Sequence, residues 1–305
     1  MRGLHHWHGD SSSASAQAPS RAVPLALREA PDHLLAALPA SWLTVFFLVP
    51  LALTAIFSFG HSTFGGVEPG FTLDNYAAAL SGFYGATLAR TLRFAATASL
   101  LCVGVAYPAA YFIAFHARRK LFALTLILVP YFSSFLIRVM SLRMVLARHG
   151  FAEALLDATG LHAGALDVLD TPVAVFIGMV YVYLPIAIVP LAVVLERIPR
   201  ELIDASEDLG ATRWRTFRSV ILPLSRPGIA TAVLLTAVPM LGEMVIPTLL
   251  GGGRGVLMGQ AIAEQYLDAQ NYALGSAMAM AVLVAVALLV ALLARVTAGF
   301  AETGR

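Results

Sequence analysis

The stretch that decides the fold runs Glu196-Arg-Ile-Pro-Arg-Glu-Leu-Ile-Asp-Ala-Ser-Glu-Asp-Leu-Gly-Ala-Thr-Arg-Trp-Arg-Thr-Phe-Arg-Ser-Val-Ile-Leu-Pro-Leu-Ser-Arg-Pro-Gly228. Pro199 lies near the start of a short predicted helix, where its missing N–H is harmless. Gly210 is placed to end that helix in a left-handed conformation. Between them Leu202, Ile203, Ser206 and Leu209 recur at helical spacing, with Glu201, Asp204, Glu207 and Asp208 around the other faces. A second short helix carries Trp214, Phe217, Val220 and Ile221, and Pro223 is expected to stop it. Such a charged helix pair with apolar knobs has two readings. It either lies along a membrane surface, or it docks a soluble partner that fits apolar knobs inside a polar rim.

On both sides of this segment the chain turns apolar. Hydrophobic residues make up 59% of it and charged residues 12%, against about 45–50% and about 25% in a soluble domain. A soluble fold of this size has no interior large enough for that much apolar side chain, so the bilayer must serve as its solvent. About 20 mostly apolar residues cross a bilayer as a helix. Six such runs are present, at 38–59, 94–115, 121–137, 171–195, 227–250 and 271–294. The third ends against Arg138 and the fifth is interrupted by Glu243. Pro50, Pro108, Pro130, Pro185, Pro190 and Pro239 fall inside these runs. In a membrane bundle they read as kinks rather than ends, because neighbouring helices or a polar cavity satisfy the freed carbonyls.

Charge placement orients the bundle. Six spans put both termini on one side, and if that side is cytoplasmic it carries 14 of the 20 Lys and Arg residues. The other 6 are Arg90, Arg93, Arg138, Arg143, Arg148 and Arg254, a bias that fits positive-inside sorting. The 60–89 loop has no Lys or Arg and is expected to be external. A net charge of +2 gives no reason to expect nucleic acid. Residues 1–35, rich in Ser, Ala, Pro and Arg near their start, read as a flexible cytoplasmic tail. The tail does not read as a cleaved signal peptide, because the first apolar run starts too late and is too long. Its His5, His6 and His8 are either a weak metal site or incidental. The lone Cys102 sits in an apolar run and reads as a small packing residue.

Asp204-Ala205-Ser206 followed by Gly210, then Ile221-Leu222-Pro223, resembles the EAA loop of ABC importer permeases. Asp stands for the motif's Glu, Ser for its second Ala, and no residue intervenes before Leu222; the substitutions keep charge and size and leave the resemblance intact. Phe71-Thr72-Leu73-Asp74-Asn75-Tyr76 is similar to an element of the first external loop of the same permeases. Ser134-Phe135-Leu136-Ile137-Arg138-Val139 and Gly242-Glu243-Met244-Val245-Ile246-Pro247, continuing to Leu249-Leu250-Gly251-Gly252, resemble the spermidine/putrescine permease branch in particular. The resemblance covers roughly residues 38–297. It implies an all-α, six-transmembrane-helix type I ABC importer permease fold. The expected organisation is the tail 1–35, a permease domain 36–298 with a cytoplasmic coupling loop 196–226, and a short C-terminal tail 299–305. In the family the loop inserts a helix into a groove of the ATPase subunit. This implies coupling roles for Asp204, Ala205, Ser206, Glu207, Leu209, Gly210, Trp214, Phe217 and Pro223.

The chain is not expected to be its own motor. A P-loop needs a glycine-rich turn leading to a lysine on the phosphates, and the only lysine, Lys120, has none. The Gly-rich stretch 251–255 lacks the preceding strand and the following lysine, and it reads as a flexible loop. No catalytic residue, metal or cofactor is therefore expected in this chain, with ATP and Mg bound by a partner. The implied partners are two ATP-binding cassette ATPase subunits, a second permease that is homologous rather than identical, an extracytoplasmic solute-binding protein and the lipid bilayer. The expected location is the inner membrane, multi-pass, with both termini cytoplasmic.

For the cargo, intramembrane polar groups are the clue, because charge within a span is costly and faces a bundle interior. Glu243 suits a polyamine cation, and Tyr131, Tyr181 and Tyr183 offer aromatic faces to it. The competing reading pairs Glu243 with Arg138 or a backbone group, in a packing or gating role. Arg138 itself argues against a polycation pathway unless it is neutralised. Glu264 and Asp268 either face the binding protein or are merely solvated. Polyamine is the leading cargo; thiamine, iron or a phosphonate-like solute stays open within the same class. A gradient-driven secondary transporter should show internal repeats with a midplane ionisable cluster, and none is evident. A membrane enzyme lacks support, since no nucleophile has an evident base.

Overall fold

The computed structural model describes residues 32–63, 65–160, 167–253 and 256–302. The tail histidines His5, His6 and His8 lie outside the described residues. The chain divides into a first unit, residues 1–52, and a main unit, residues 53–305. Helix α1 (Asp32–Leu43) leads through a π-helical turn (Thr44–Leu48) into α2 (Val49–Ser58). A two-stranded antiparallel hairpin, β1 (His61–Thr63) and β2 (Gly66–Glu68), and the short helix α3 (Asp74–Leu80) follow. Then come α4 (Gly82–Phe115), α5 (Lys120–Tyr131), α6 (Phe135–Leu146), α7 (Phe151–Ala158) and α8 (Pro172–Glu196). Next are α9 (Arg200–Asp208), α10 (Arg213–Thr216), a π turn (Phe217–Ile221) and α11 (Leu222–Leu224). The chain closes with α12 (Arg226–Leu241), α13 (Val245–Leu250), α14 (Met258–Leu267) and α15 (Tyr272–Glu302).

The core of the main unit is the trio α4, α8 and α12. On α4, Ala95, Ala98, Cys102, Ala106 and Ala110 recur at helical spacing and are fully or almost fully buried. Small residues let membrane helices approach closely where lipid supplies no hydrophobic drive between them. Cys102 is one of these packing residues. Gly228 plays the same part on α12, where an added Cβ would stand 2.9 Å from the branched Cβ of Val194 on α8. A polar clasp joins α4 to α12: Ser99 Oγ lies 2.6 Å from Thr236 Oγ1, and both residues are fully buried.

Among the described residues, four helices are long and apolar enough to span a membrane, or six if each of two bent pairs is one span. The bends revise the sequence expectation. The third apolar run is not one kinked helix: α5 and α6 meet at 85° across residues 132–134. Pro130 cannot donate to the hydrogen-bond ladder, and a non-helical backbone at Ser134 (φ −53°, ψ 130°) restarts the chain in a new direction. The fifth run likewise splits into α12 and α13 around Gly242–Met244. Pro223 does not stop its helix, which runs through the π turn to Leu224 and then bends by 62° into α12. A π turn absorbs one extra residue per turn, which accommodates a proline without ending the helix. Helix α4 is also longer than its apolar core, at 34 residues or about 50 Å. At the other end α15 continues to Glu302.

The element at residues 71–76 is a clip. Thr72 Oγ1 accepts from the Asp74 N–H at 3.1 Å, starting α3. Asn75 Nδ2 donates to the carbonyls of Ser58 (3.1 Å) and Gly60 (2.8 Å), and Tyr76 OH lies 2.7 Å from Ser58 Oγ. The carbonyls left over where α2 ends are thus satisfied by side chains.

Packing at Gly228 yields a test. Gly228→Leu must push α12 off Val194, and overpacking of this kind costs about 1–3 kcal/mol. Thermal unfolding of the detergent-purified protein is expected at a clearly lower temperature than wild type, and an unchanged midpoint would refute the close-approach account.

Candidate functional site

Among the described residues the sequence-predicted site positions fall in two regions: the 196–226 end of the bundle, and a polar cluster halfway along α8. At the first, α9 closes as the glycine position predicts. Gly210 adopts φ +82°, its N–H donates to the Glu207 carbonyl (2.8 Å), and the Ala211 N–H donates to the Ser206 carbonyl (3.1 Å). That pair of hydrogen bonds around a left-handed residue is a Schellman closure. An added Cβ at Gly210 would meet nothing within 4 Å, so the demand for glycine is conformational rather than steric. Thr212 Oγ1 then accepts from the Arg215 N–H at 3.4 Å and caps α10.

This helix pair is tied to the bundle by specific contacts. Ser206 Oγ and Thr216 Oγ1 lie 3.0 Å apart between its two halves. The Phe217 ring stacks on Trp214 at 5.3 Å and meets Tyr107 (5.8 Å) and Tyr111 (6.2 Å) of α4 edge-on. Tyr107 OH lies 2.9 Å from Ser225 Oγ at the bend into α12. Lys120 Nζ binds Glu196 Oε1 at 2.8 Å, joining the start of α5 to the end of α8. Outward, Leu209 is 90% exposed and Trp214 65%, with Leu202 beside them. Asp204, Ala205 and Glu207 are exposed too, while Ser206, Phe217 and Pro223 are half-buried. Of the four apolar-spaced positions read from the sequence, Leu202 and Leu209 point outward, and Ile203 and Ser206 turn toward the bundle.

The second region forms where both helix breaks meet α8. Glu243 is buried. Its Oε1 accepts the N–H groups of Val245 (2.8 Å) and Ile246 (3.3 Å), and its Oε2 accepts the Tyr183 hydroxyl (2.7 Å). The carboxylate therefore caps α13, where negative charge is favoured, and cross-links that helix to the middle of α8. At the far end of α13, Arg143 Nη1 donates to the Leu249 carbonyl (2.8 Å) and the Asp170 N–H to the Leu250 carbonyl (2.9 Å). Gly178 of α8 lets α13 lie close: an added Cβ would come within 2.5 Å of Leu250 Cδ1. Gly259 backs the break, since its Cβ would fall 2.5 Å from the Gly242 carbonyl oxygen.

The Arg138 guanidinium carbon stands 4.7 Å from the Tyr131 ring centroid and 6.0 Å from that of Phe135. Its buried Nε has no hydrogen-bond partner, and among the described residues Arg138 joins no ion pair. Tyr131 and Arg138 also lie within electrostatic reach of the Tyr183 hydroxyl. The structure thus brings Tyr131, Arg138, Tyr183 and Glu243 together. Tyr181, on another face of α8 and 46% exposed, is apart from them. Of the two partners weighed for Glu243, the backbone is the one it engages, not Arg138. Glu264 accepts from Gln260 Nε2 at 3.4 Å, and it borders, with Asp268 and Met244, a recess of about 350 Å³. Outside the spans, Asp167 at 3.0 Å raises the Arg148 guanidinium above its ordinary pKa; both groups are exposed, so the pair adds little to stability.

Several contributors were not singled out from sequence. Arg143 carried a signal, being a second basic residue in an apolar helix. Phe135, Tyr107 and Ser225 carried none, because apolar and hydroxyl residues are common throughout the chain.

The family described as binding-protein-dependent transport system inner membrane component matches residues 103–301. The chain belongs to this family. The spermidine/putrescine transport system permease protein PotB of Escherichia coli (strain K12) is 34% identical over 244 residues, covering 78% of this chain and 88% of that protein. PotB of Haemophilus influenzae is 32% identical over 244 residues, covering 79% and 85%. Among solved structures, a chain of a bacterial ABC transporter involved in the import of the acidic polysaccharide alginate superposes with TM-score 0.67 at 18% identity, covering 87% of this chain and 96% of that one. A chain of the inward-facing MetNI methionine ABC transporter gives 0.53 at 18%, covering 70% and 94%. At that identity these two establish the fold, that of an ABC importer permease. The permease is a membrane transport component, and its 196–226 helix pair occupies the position of the EAA-like motif.

The capping geometry separates two replacements of Glu243. Glu243→Gln keeps an acceptor for the Val245 and Ile246 N–H groups, whereas Glu243→Ala leaves them unpaired at a cost of about 1–3 kcal/mol. The Ala variant is expected to unfold at a lower temperature than the Gln variant; equal midpoints would show that the cap does not matter.

Proposed function

We propose that this permease forms half of the translocation pathway of an ATP-driven importer whose cargo is a polyamine, spermidine or putrescine. The observation that carries the cargo is the similarity to the two spermidine/putrescine permeases over more than three quarters of the chain. The solute arrives on an extracytoplasmic binding protein, and ATP is hydrolysed by two separate cassette subunits rather than by this chain. A second, homologous permease completes the pathway. The 196–226 helix pair docks an ATPase subunit, with Leu209 and Trp214 as its most exposed apolar knobs and Asp204, Glu207 and Arg215 as its rim. That assignment puts this end of the bundle in the cytoplasm with both termini, as the distribution of 14 of 20 basic residues on that side supports.

Contacts from Phe217 to Tyr107 and Tyr111, and from Tyr107 on to Ser225, supply a route for motion. A shift of Trp214 and Phe217 moves the ends of α4 and α12 together, and α12 leads directly to the break at Gly242–Met244. The pathway runs past the Tyr131, Arg138, Tyr183 and Glu243 cluster, the one place in the described spans where opposite charges and aromatic faces converge.

Two experiments test this reading. Vesicles containing this chain with its co-encoded partners are expected to accumulate labelled spermidine and putrescine only with ATP. An assembled complex that hydrolyses ATP without taking up either polyamine would overturn the cargo. For docking, Gly210→Val forces a β-branched residue to φ +82°, while Gly210→Asn tolerates that conformation. Co-purification of the ATPase is expected to fail with Val and persist with Asn; normal co-purification with Val would remove the docking role.

A further inference from the structure

An arginine inside a span is costly and is ordinarily satisfied by an acid or by carbonyls. Among the described residues Arg138 is satisfied by neither. It joins no ion pair among the described residues, and its buried Nε lacks a partner. The acid of the same cluster, Glu243, is already engaged by the Val245 and Ile246 N–H groups and by the Tyr183 hydroxyl. What holds the guanidinium is aromatic: the Tyr131 face at 4.7 Å and Phe135 at 6.0 Å. These two rings flank the 132–134 break, so the 85° turn between α5 and α6 builds the cage.

We propose that Arg138 is a resident cation, holding the aromatic face that an alkylammonium of the cargo takes as it passes. This deepens the polyamine reading and rests on it. The physical basis is competition: a ring's negative quadrupole attracts a guanidinium and an ammonium alike, and one face holds one of them. Charge supports exchange rather than joint occupancy. Arg138 and Glu243 together are formally neutral, and an ammonium added would give the cluster two cations to one carboxylate. If Arg138 swings away on its long stem, the ammonium inherits both the ring and the balancing carboxylate, which its backbone and tyrosine donors keep in place. A basic residue in a cation pathway is then a specificity device. A solute that cannot compete for an aromatic face does not displace it.

The test is equilibrium binding of radiolabelled spermidine to the complete complex of both permeases and the ATPase subunits, purified in detergent. Arg138→Gln is expected to bind about tenfold tighter than wild type, and Arg138→Lys about as wild type does. In a Tyr131→Leu background, Arg138→Gln is expected to gain nothing, because the contested face is gone. Unchanged or weaker binding by an assembled Arg138→Gln complex overturns the assignment. If that variant does not assemble, Tyr131→Leu alone decides: it must weaken spermidine binding about tenfold, and undiminished binding overturns the proposal. Spermidine uptake by wild type without this rank order refutes the resident cation alone. No uptake and no binding in an assembled, ATP-hydrolysing complex refutes the polyamine cargo, and this inference with it.

Discussion

Inside a bilayer no water is available to satisfy a backbone N–H or C=O, so every break in a spanning helix must be repaired by protein groups. The rest of this structure follows from how that is done. Where α12 gives way to α13, the Glu243 carboxylate takes the two N–H groups that the new helix exposes, and Arg143 and the Asp170 N–H take the carbonyls at its other end. The same carboxylate accepts the Tyr183 hydroxyl, so the repair of a local defect also fixes α13 against α8. A charge that reads as a cargo ligand in sequence is thus first a structural cap.

The two breaks are not independent. One is made by Pro130 and the 132–134 turn, the other by Pro239 and Gly242, and both come to rest against the middle of α8. Glycine at 178 and at 259 permits this convergence, since any side chain there would collide with α13 or with the carbonyls of the break. Polar chemistry in the spans is concentrated where regular helix is absent. The long helices α4, α8 and α12 supply a rigid frame of small and branched side chains around it.

The 196–226 pair follows a different logic. Its geometry is set by local signals: a left-handed glycine, a threonine cap and a hydroxyl pair between its halves. Its attachment to the bundle is aromatic, through Phe217 against Tyr107 and Tyr111. Edge-on rings transmit displacement while tolerating sliding, which suits a joint to the spanning helices.

Sequence by itself determined the membrane character, the six apolar runs, the Gly210 closure and the family, because hydropathy, left-handed glycine and motif spacing are local properties. Tyr131, Arg138, Tyr183 and Glu243 were all legible as out-of-place polar groups in apolar runs. Only the tertiary structure decided which of them meet: Tyr183 rather than Tyr181 reaches Glu243, and Arg138 finds a ring instead of an acid. Those outcomes depend on the 85° turn and the split of the fifth run, where sequence suggested kinks. A proline announces that a ladder bond is missing. Whether the helix bends, ends or absorbs the defect in a π turn is settled by which distant side chains are there to satisfy the exposed backbone.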